Sequence, residues 1–483
     1  MQSAVLPLAF QERFSRFFDE TPQAGWKEVE RVLREEFPHL LVEGGGDVVD
    51  QLFMPGTWER QAIGSASIAQ VHRARLKTGE QVAVKIQKPW IKRQVHLDLL
   101  VFSIVTYLFS TKLFALPLSF LTPFITERLL SETDFLNEAN NAMQMRSFVE
   151  SEPSLRNRVT IPKTYPELCT TRVLVAEYID GVGIANRELL RSPWRDANSV
   201  GHPIGTPRYI TARLGPQKPA YTAAGGPIYG LGLNESAVME TMIDLFCAQM
   251  FLFGWLHCDP HPGNILIRRR ENGSPELILL DHGLYVTTTS EFRRDYATFW
   301  KALLTFDNTT IARIASSWGI GNADLMASAT LLRPYSGGTQ EMVEMLDSET
   351  AYDRHVRMRE KMGEFLQDQE KMPKELIFIG RNMRIVQGNN QLLGSPVNRI
   401  KIIAKWASVS LARSGEDGGW VRAWWRHFVF RFVLLALDIG FWVGRVRQVA
   451  LGGQGFEERL EERMKRVARE ELGVELNHRV FDG

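Results

Sequence analysis

Three polar side chains in the stretch 256–285 have the types and spacing needed to handle a phosphate and a metal ion. Asp259 and Asn264 are five residues apart and come just before a short apolar run, and Asp281 comes just after a second run. A polar turn rich in Asn, Gly and Pro separates the runs, which is typical of a β-hairpin. A hairpin brings the three residues to one end of a small sheet. The two runs cover residues 265–267 and 277–280.

This arrangement fits phosphoryl transfer. That reaction needs a carboxylate near the attacking hydroxyl and metal ions that neutralise charge between the β- and γ-phosphates. Mg²⁺ prefers hard oxygen ligands such as a carboxylate and an amide carbonyl. Asp259 would therefore orient or deprotonate the nucleophile, while Asn264 and Asp281 would hold Mg²⁺. Gly283 would allow the sharp turn that follows the metal ligand.

A second stretch, residues 58–89, predicts the strands that cover a nucleotide. The order is a strand, a small-residue loop, a strand, a turn at Thr78-Gly79 and a strand ending near Lys85, as in the N-lobe of protein kinases. Alanines replace two of the three glycines of a Gly-x-Gly-x-x-Gly loop, which keeps backbone amides farther from phosphate. We expect Lys85 to reach the α- and β-phosphates. The residues predicted to cover the nucleotide are Ile63, Gly64, Ser65, Ala66, Ser67, Ala69 and Val71.

The partner of Lys85 is sought in the acidic segment that begins at residue 132. Glu138 starts a helical pattern and is the candidate partner, because such a pair orients the lysine toward phosphate. Glu132 and Asp134 lie about one turn earlier. A later apolar run, 172–181, predicts the last N-lobe strand and the hinge, although a plain strand explains this run equally well. The hinge residues that would offer backbone groups to adenine are Glu177, Tyr178 and Ile179.

Composition places limits on the class of protein. The chain has 483 residues, 44% of them hydrophobic, and a net charge of +1, which gives no reason to expect nucleic-acid binding. The three cysteines show neither disulfide nor zinc-type spacing. Residues 1–10 predict neither a signal peptide nor a transit sequence. The sequence therefore indicates an ordinary globular protein.

Two apolar segments leave membrane contact open. Residues 97–126 are nearly all apolar, and helices packed on the core are favoured over a membrane-contacting hairpin because each charge-free run is short. Residues 420–449 are aromatic and flanked by arginines, which fits either a helix at a membrane interface or a core helix. Helical patterns are also predicted over 9–37, from residue 234 to Met250, and over 290–305, 307–317, 339–365 and 374–388.

Five strings together resemble the aarF/UbiB family of atypical kinases. They are GSASIAQVH, VAVKIQKP, ETDFLNEANN and HCDPHPGN with LLDHGLY, and they are most similar to the branch that contains the first human aarF-domain kinase and its yeast mitochondrial counterpart. The resemblance covers roughly residues 5–400. It implies that Glu132 and Asp134 form the family's Glu-x-Asp motif, that Lys85, Glu138 and Asp259 are catalytic, and that ATP or ADP binds with Mg²⁺. It also implies a mitochondrial protein, associated with the inner membrane and concerned with membrane lipid or a ubiquinone precursor.

The resemblance implies an α+β, bilobal protein-kinase-like fold with a small β-rich N-lobe, a helical C-lobe and family-specific extra helices. The family's Lys-x-Gly-Gln helix precedes a Leu-Pro that resembles Leu6-Pro7, so we expect that helix to be missing from this chain. The predicted divisions are an N-terminal helical extension (1–50), an N-lobe with a helical insertion (51–182), an inserted Pro/Gly-rich loop (183–233), a C-lobe (234–410) and a C-terminal helical extension (411–483).

Three functions compete at this point. The first is an ATP-dependent phosphotransferase or ATPase that acts on a small molecule or lipid. The second is a nucleotide-binding scaffold with negligible turnover. The third is a small-molecule kinase of the choline or aminoglycoside type, which the alanine-containing loop and the Glu-x-Asp segment disfavour.

Overall fold

The computed structural model describes residues 22–42, 46–108, 121–192, 230–331, 335 and 372–413. These residues form two compact units that interleave along the chain. The strand-rich unit contains the described residues of Leu6–Val238 and His261–Tyr285, and the helical unit contains those of Met239–Pro260 and Val286–Gly483.

The first sheet of the strand-rich unit is antiparallel, with strands in the order β1–β2–β3–β5. Alternate residues of β3 are buried, as expected for β-branched residues on a sheet with one covered face. That face packs against the apolar side of helix α1 in one core cluster. Gly79 has φ 97° in the turn between β2 and β3, where its lack of a side chain avoids strain. The strands are β1 (Gly64–Ser65), β2 (Ala69–Arg75), β3 (Gln81–Gln87) and β5 (Val173–Glu177), and α1 is Trp26–Glu36.

The second sheet carries the hairpin predicted from the two apolar runs. Its strand order is β4–β9–β8–β6, and Ile265 pairs with Leu279 across the antiparallel pair β8–β9. On this sheet the Glu276 carboxylate accepts hydrogen bonds from the Thr160 hydroxyl at 2.7 Å and the Arg268 Nε at 2.8 Å. The strands are β4 (Val159–Thr160), β6 (Val182–Gly183), β8 (Ile265–Arg269) and β9 (Pro275–Leu279).

Further helices of this unit lie before and between these strands. They are α2 (Val48–Leu52), α3 (Ile91–Leu108), α4 (Leu121–Ser131), α5 (Phe135–Ser151) and α6 (Arg187–Arg191). The expectation that the apolar segment 97–126 packs on the core is wrong for one face of α3. Six of its apolar residues, spaced three and four apart, are 44–60% exposed. Leu99, on the opposite side of the helix, is buried, so among the described residues α3 packs against protein on one side.

The helical unit begins where α7 (Glu235–Ala248) leads into a π-helical segment, Gln249–Phe253. Gly254 ends this segment in the left-handed region, at φ 65°. Strand β7 (Trp255–His257) then pairs with β10 (Tyr285–Thr287). The remaining helices are α8 (Ser290–Thr305), α9 (Asn308–Ser317), α10 (Ala323–Leu331), α11 (Glu375–Leu392) and α12 (Arg399–Arg413).

Most predicted helices in the described residues are confirmed. The helix near Trp26 and the helices over 290–305, 307–317 and 374–388 match α1, α8, α9 and α11 to within a few residues. The predicted helix from 234 to Met250 is confirmed, and from Gln249 onward it takes the π-helical form. The predictions for residues 9–21, 339–365 and 420–449 fall outside the described residues.

Candidate active site

Lys85 and Glu138 form an ion pair at the heart of the strand-rich unit. The Lys85 Nζ lies 2.8 Å from each carboxylate oxygen of Glu138. Lys85 is held by strand β3 and Glu138 by the first turn of α5, where its side chain is 2% exposed. Phe135, one turn earlier on the helix, places its ring 5.0 Å from the ammonium. The structure thus brings together two residues that are 53 positions apart in the chain.

Asp281 lies on the other side of the same lysine. Its Oδ2 is 3.8 Å from the Lys85 Nζ, and its Oδ1 accepts a 2.9 Å hydrogen bond from the backbone N–H of Gly283. A methyl group at Gly283 would stand 3.3 Å from that oxygen and 3.8 Å from the Cγ of Glu132. A glycine therefore lets the chain turn closely around the carboxylate, and Glu132 lies beside this turn.

The charges in this cluster shift both members of the pair. Burial acts to lower the pKa of Lys85, but the charges of Asp281 and Glu138 outweigh it, and the pKa is raised. Burial raises the pKa of Glu138 against the effect of Lys85, and the charge of Asp281 adds to the rise. The rise for Lys85 therefore reflects the carboxylates around a single ammonium, whereas the rise for Glu138 reflects burial first and the charge of Asp281 second. The cluster has an excess of negative charge that an added cation would relieve.

Asn264 lies at the same end of the hairpin as Asp281. The Leu280 N–H donates to the Asn264 carbonyl at 3.0 Å, one step beyond the last residue pair of β8 and β9. A carboxylate and an amide oxygen at one sheet end suit Mg²⁺. Within the described residues no three His, Cys, Asp or Glu side chains are grouped to hold a metal by themselves. The residues fit a Mg²⁺ ion that takes its other ligands from phosphate and water, as this ion commonly does.

The alanine-containing loop between β1 and β2 is closed by backbone and side-chain bonds. The Ala66 N–H donates to the Ala69 carbonyl at 2.8 Å, and the Ile63 N–H donates to the Val71 carbonyl at 2.8 Å. The Nζ of Lys88 donates to the Ala66 carbonyl at 2.6 Å. Burial lowers the pKa of Lys88. Lys88 thus ties the loop to the end of β3. Of the predicted loop residues, Ser65 is buried and Ser67 is exposed.

Hydrogen bonds hold both the Glu-x-Asp segment and the predicted hinge in place. Asp134 caps helix α5 by accepting a 3.0 Å bond from the Leu136 N–H, and the Thr133 carbonyl accepts a 2.8 Å bond from Gln87. In the hinge, the Tyr178 hydroxyl donates to Asp180 at 3.0 Å. Glu177 exchanges backbone and side-chain bonds with Lys163, and Ile179 packs in the core of the hairpin sheet.

Asp259 belongs to the helical unit. It lies in a loop whose backbone groups form hydrogen bonds with buried side chains. The Asn382 amide donates to the His257 carbonyl at 2.5 Å, and Gln249 accepts from the His257 N–H at 2.9 Å. The Asp259 N–H donates to the His257 Nδ1 at 3.0 Å. A fourth bond joins the Asn389 amide to the Pro260 carbonyl at 3.2 Å. The loop therefore presents the Asp259 carboxylate on a backbone fixed from α11 and the π-helical segment.

The Asp259 carboxylate itself is paired with Arg381, whose Nη2 lies 3.2 Å from Oδ1. Sequence reasoning missed Lys88, Gln249, Arg381, Asn382 and Asn389. The signal in the sequence was weak: α11 has a run of polar and charged residues within an apolar helical pattern. Buried asparagines in a helix are rare enough to indicate bonded partners elsewhere. Whether Asp259 acts on the same phosphates as Lys85 stays a prediction.

The paired lysine and glutamate, the hairpin with its terminal Asn and Asp, and the strand-rich and helical units define a protein-kinase-like fold. Comparison with known proteins agrees. The ABC1 atypical kinase-like domain matches residues 16–315. The chain therefore belongs to the ABC1 atypical kinase-like family, which confirms the resemblance read from its motifs.

Two relatives found by sequence similarity are named for the same family. The chain is 38% identical to the ABC1 family protein lscO of Purpureocillium lilacinum, over 97% of this chain and 76% of that one. It is 29% identical to AarF domain-containing protein kinase 1 of Xenopus laevis, over 81% of this chain and 66% of that one. Among solved structures, the Rv3197–erythromycin complex from Mycobacterium tuberculosis is 18% identical with a TM-score of 0.49, covering 84% of this chain and 88% of that one.

Proposed function

We propose that the protein binds ATP or ADP with Mg²⁺ and acts as an atypical phosphotransferase or ATPase. The observation that supports this best is the Lys85–Glu138 pair at 2.8 Å with Asp281 3.8 Å from the same ammonium. In this proposal Lys85 binds the α- and β-phosphates, and Glu138 keeps it extended. Bound Mg²⁺ would neutralise phosphate charge, with Asp281 and Asn264 as its protein ligands.

The other proposed roles come from the motif spacing and the family. Asp259 would hold or accept the proton of the attacking hydroxyl, because it stands five residues before Asn264. The alanine-containing loop would cover the phosphates, and the backbone of Glu177–Ile179 would contact adenine.

Nucleotide binding is tested by thermal shift. We expect Mg-ADP and Mg-ATP to raise the melting temperature of the wild type, because a ligand that binds only the folded state stabilises it. Asp281→Ala and Asn264→Ala should abolish that rise. Glu271→Ala, at the exposed opposite end of the same hairpin, is the matched control and should retain it. A wild type that shows no shift with any adenine nucleotide would refute the proposal.

Turnover separates an enzyme from a nucleotide-binding scaffold. We expect the wild type to release phosphate from ATP in the presence of lipid vesicles, and Asp259→Asn to release it much more slowly, because the amide cannot accept a proton. Equal rates for the two proteins would favour the scaffold.

We further infer a peripheral contact with anionic membrane, which would fit the mitochondrial inner-membrane location and the link to lipid or a ubiquinone precursor that the motif resemblance implies. The exposed apolar face of α3 supports it, since Leu97, Leu100 and Ile104 are each more than half exposed. Lys92 and Arg93 stand exposed at the start of the same helix, where they could meet anionic headgroups.

This contact would lie on the membrane surface. By length and hydropathy, one helical segment of the described residues, Glu235–Phe253, could cross a bilayer, but 72% of its apolar window is buried in the protein, as in a core helix. We expect the wild type to float with vesicles that contain anionic lipid. The double variant Leu100→Asp/Ile104→Asp should remain in the unbound fraction. Val42→Asp, an exposed valine outside this face, is the control and should float. Equal flotation of both variants would refute the contact.

A further inference from the structure

Arg381, on helix α11, has its guanidinium beside the carboxylate of Asp259. Its Nη2 lies 3.2 Å from Oδ1, and its side chain is 50% exposed. Within the part of the chain that the structure describes, Asp259 is the one hydrogen-bond partner of this guanidinium. An arginine carries five N–H donors, and the bond to Asp259 uses one of them.

An exposed ion pair of this kind is usually worth little to stability. What distinguishes Arg381 is the anchoring of its helix to the loop. Asn382, the next residue, is fully buried and bonds to the His257 carbonyl at 2.5 Å. Two turns later, buried Asn389 bonds to the Pro260 carbonyl at 3.2 Å. These bonds fix α11 in register with the loop, so the backbone of Arg381 is held opposite the carboxylate.

The proposed reaction calls for a cation at this place. In it, the bond between the γ-phosphorus and the bridging β–γ oxygen breaks, and ADP leaves with the electron pair. A new bond forms between that phosphorus and the oxygen of a hydroxyl or water, whose proton passes to Asp259. The transferring group carries charge on its equatorial oxygens, and a cation that meets them lowers the barrier.

The distance from Arg381 to Asp259 suggests that the guanidinium can reach the transferring phosphoryl group. If Asp259 hydrogen-bonds the attacking oxygen, the reacting phosphorus lies only about 3–3.5 Å beyond that oxygen. A guanidinium 3.2 Å from the same carboxylate is then within reach of the phosphoryl oxygens. The loop 259–264, Asp-Pro-His-Pro-Gly-Asn, contains neither Lys nor Arg, so the loop itself supplies no permanent positive charge. The planar fork of an arginine suits phosphate oxygens well.

We propose that Arg381 binds the phosphoryl group during transfer, as an arginine supplied in cis from α11. This proposal rests on the proposed function and adds a residue to it. Residue 381 lies beyond the 16–315 stretch matched by the family domain. Asp259 has two tasks in this scheme: it receives the proton and holds the arginine in position.

The test compares Arg381→Met and Arg381→Lys with Arg384→Met in the full chain. Arg384 is exposed on the same helix and serves as the matched control. We expect Arg381→Met to lower kcat for ATP hydrolysis on the order of 10²–10³-fold. Its KM for ATP should stay within about twofold of the wild type, because the lost contact is made in the transition state. Arg381→Lys should recover part of the rate, and Arg384→Met should match the wild type.

A second measurement needs no turnover. We expect tetrafluoroaluminate, which mimics the transferring phosphoryl group, to tighten Mg-ADP binding by the wild type and by Arg384→Met, and to leave the affinity of Arg381→Met unchanged. Undiminished kcat or a retained tetrafluoroaluminate effect in Arg381→Met would overturn the proposal while nucleotide binding stands. A wild type that binds Mg-ADP but shows no such tightening would also overturn it. Failure of the wild type to bind Mg-ADP at all would overturn the proposed function as well.

Discussion

Replacement of Glu138 by Gln tests the ion pair on which the proposed site depends. The change keeps the shape of the side chain and removes its charge. Both carboxylate oxygens now lie 2.8 Å from the Lys85 Nζ, and the Lys85 side chain is 23% exposed. The variant leaves the ammonium partly buried, with Asp281 at 3.8 Å as its nearest remaining carboxylate.

The size of the effect follows from burial. Removal of one partner of a fully buried ion pair costs roughly 3–5 kcal/mol. We expect a smaller loss of about 1–3 kcal/mol for Glu138→Gln, because Lys85 keeps some contact with water and the charge of Asp281. For a unit of this size, each kcal/mol lowers the melting temperature by about 2–4 °C. The variant should also bind Mg-ADP about tenfold more weakly, since Lys85 is free to turn toward Asp281.

A double-mutant cycle measures the pair itself. Lys85→Met, Glu138→Leu and their combination are compared with the wild type by calorimetry. We expect the double variant to be more stable than Glu138→Leu alone, because no charge is left buried, and the coupling energy to be about 1–3 kcal/mol.

A surface pair on the same helix provides the control. Arg146 and Glu150 are joined at 2.8 Å on α5 and are both exposed, so Glu150→Gln should change stability by less than about 0.5 kcal/mol. If Glu138→Gln costs no more than Glu150→Gln, or if the effects in the cycle simply add, the ion pair does not organise the site as we describe.

Three further changes test other parts of the structure. Lys88→Met removes the 2.6 Å bond to the Ala66 carbonyl, so it should loosen the loop and weaken Mg-ADP binding several-fold in calorimetric titration; unchanged affinity would contradict a loop-positioning role. Asn382→Leu removes the donor to the buried His257 carbonyl, so it should lower the free energy of unfolding by about 1–3 kcal/mol and abolish most ATP turnover. A fully active variant would show that this bond does not position the loop. Burial raises the pKa of Glu276, but its two hydrogen bonds outweigh burial and hold the pKa below 4.5. The stability advantage of the wild type over Glu276→Gln should therefore be constant above pH 4.5 and shrink as the pH falls further. A stability difference in urea unfolding that does not change with pH would refute this.

The sequence by itself determined the local elements of the site. The alternation of β3, the two apolar runs of the hairpin and the turn between them depend on contacts within a few residues, and they predicted the strands to within about two positions. The five-residue spacing from Asp259 to Asn264 and the position of Asp281 after β9 are likewise local. Such features can be read from a sequence because turn chemistry and hydrophobic period act at short range.

Tertiary structure decided which distant groups meet. Three acidic residues stood near the start of α5, and Glu138 was only a candidate partner until packing placed it on Lys85 while Asp134 caps the helix. Arg381 bonds to Asp259 although the two residues are 122 positions apart, and no local sequence pattern predicts this contact. Packing also left one apolar face of α3 exposed, although its periodicity resembles that of a buried helix. A hydrophobic pattern shows that a face seeks an apolar neighbour, and the folded chain alone shows whether it supplies one.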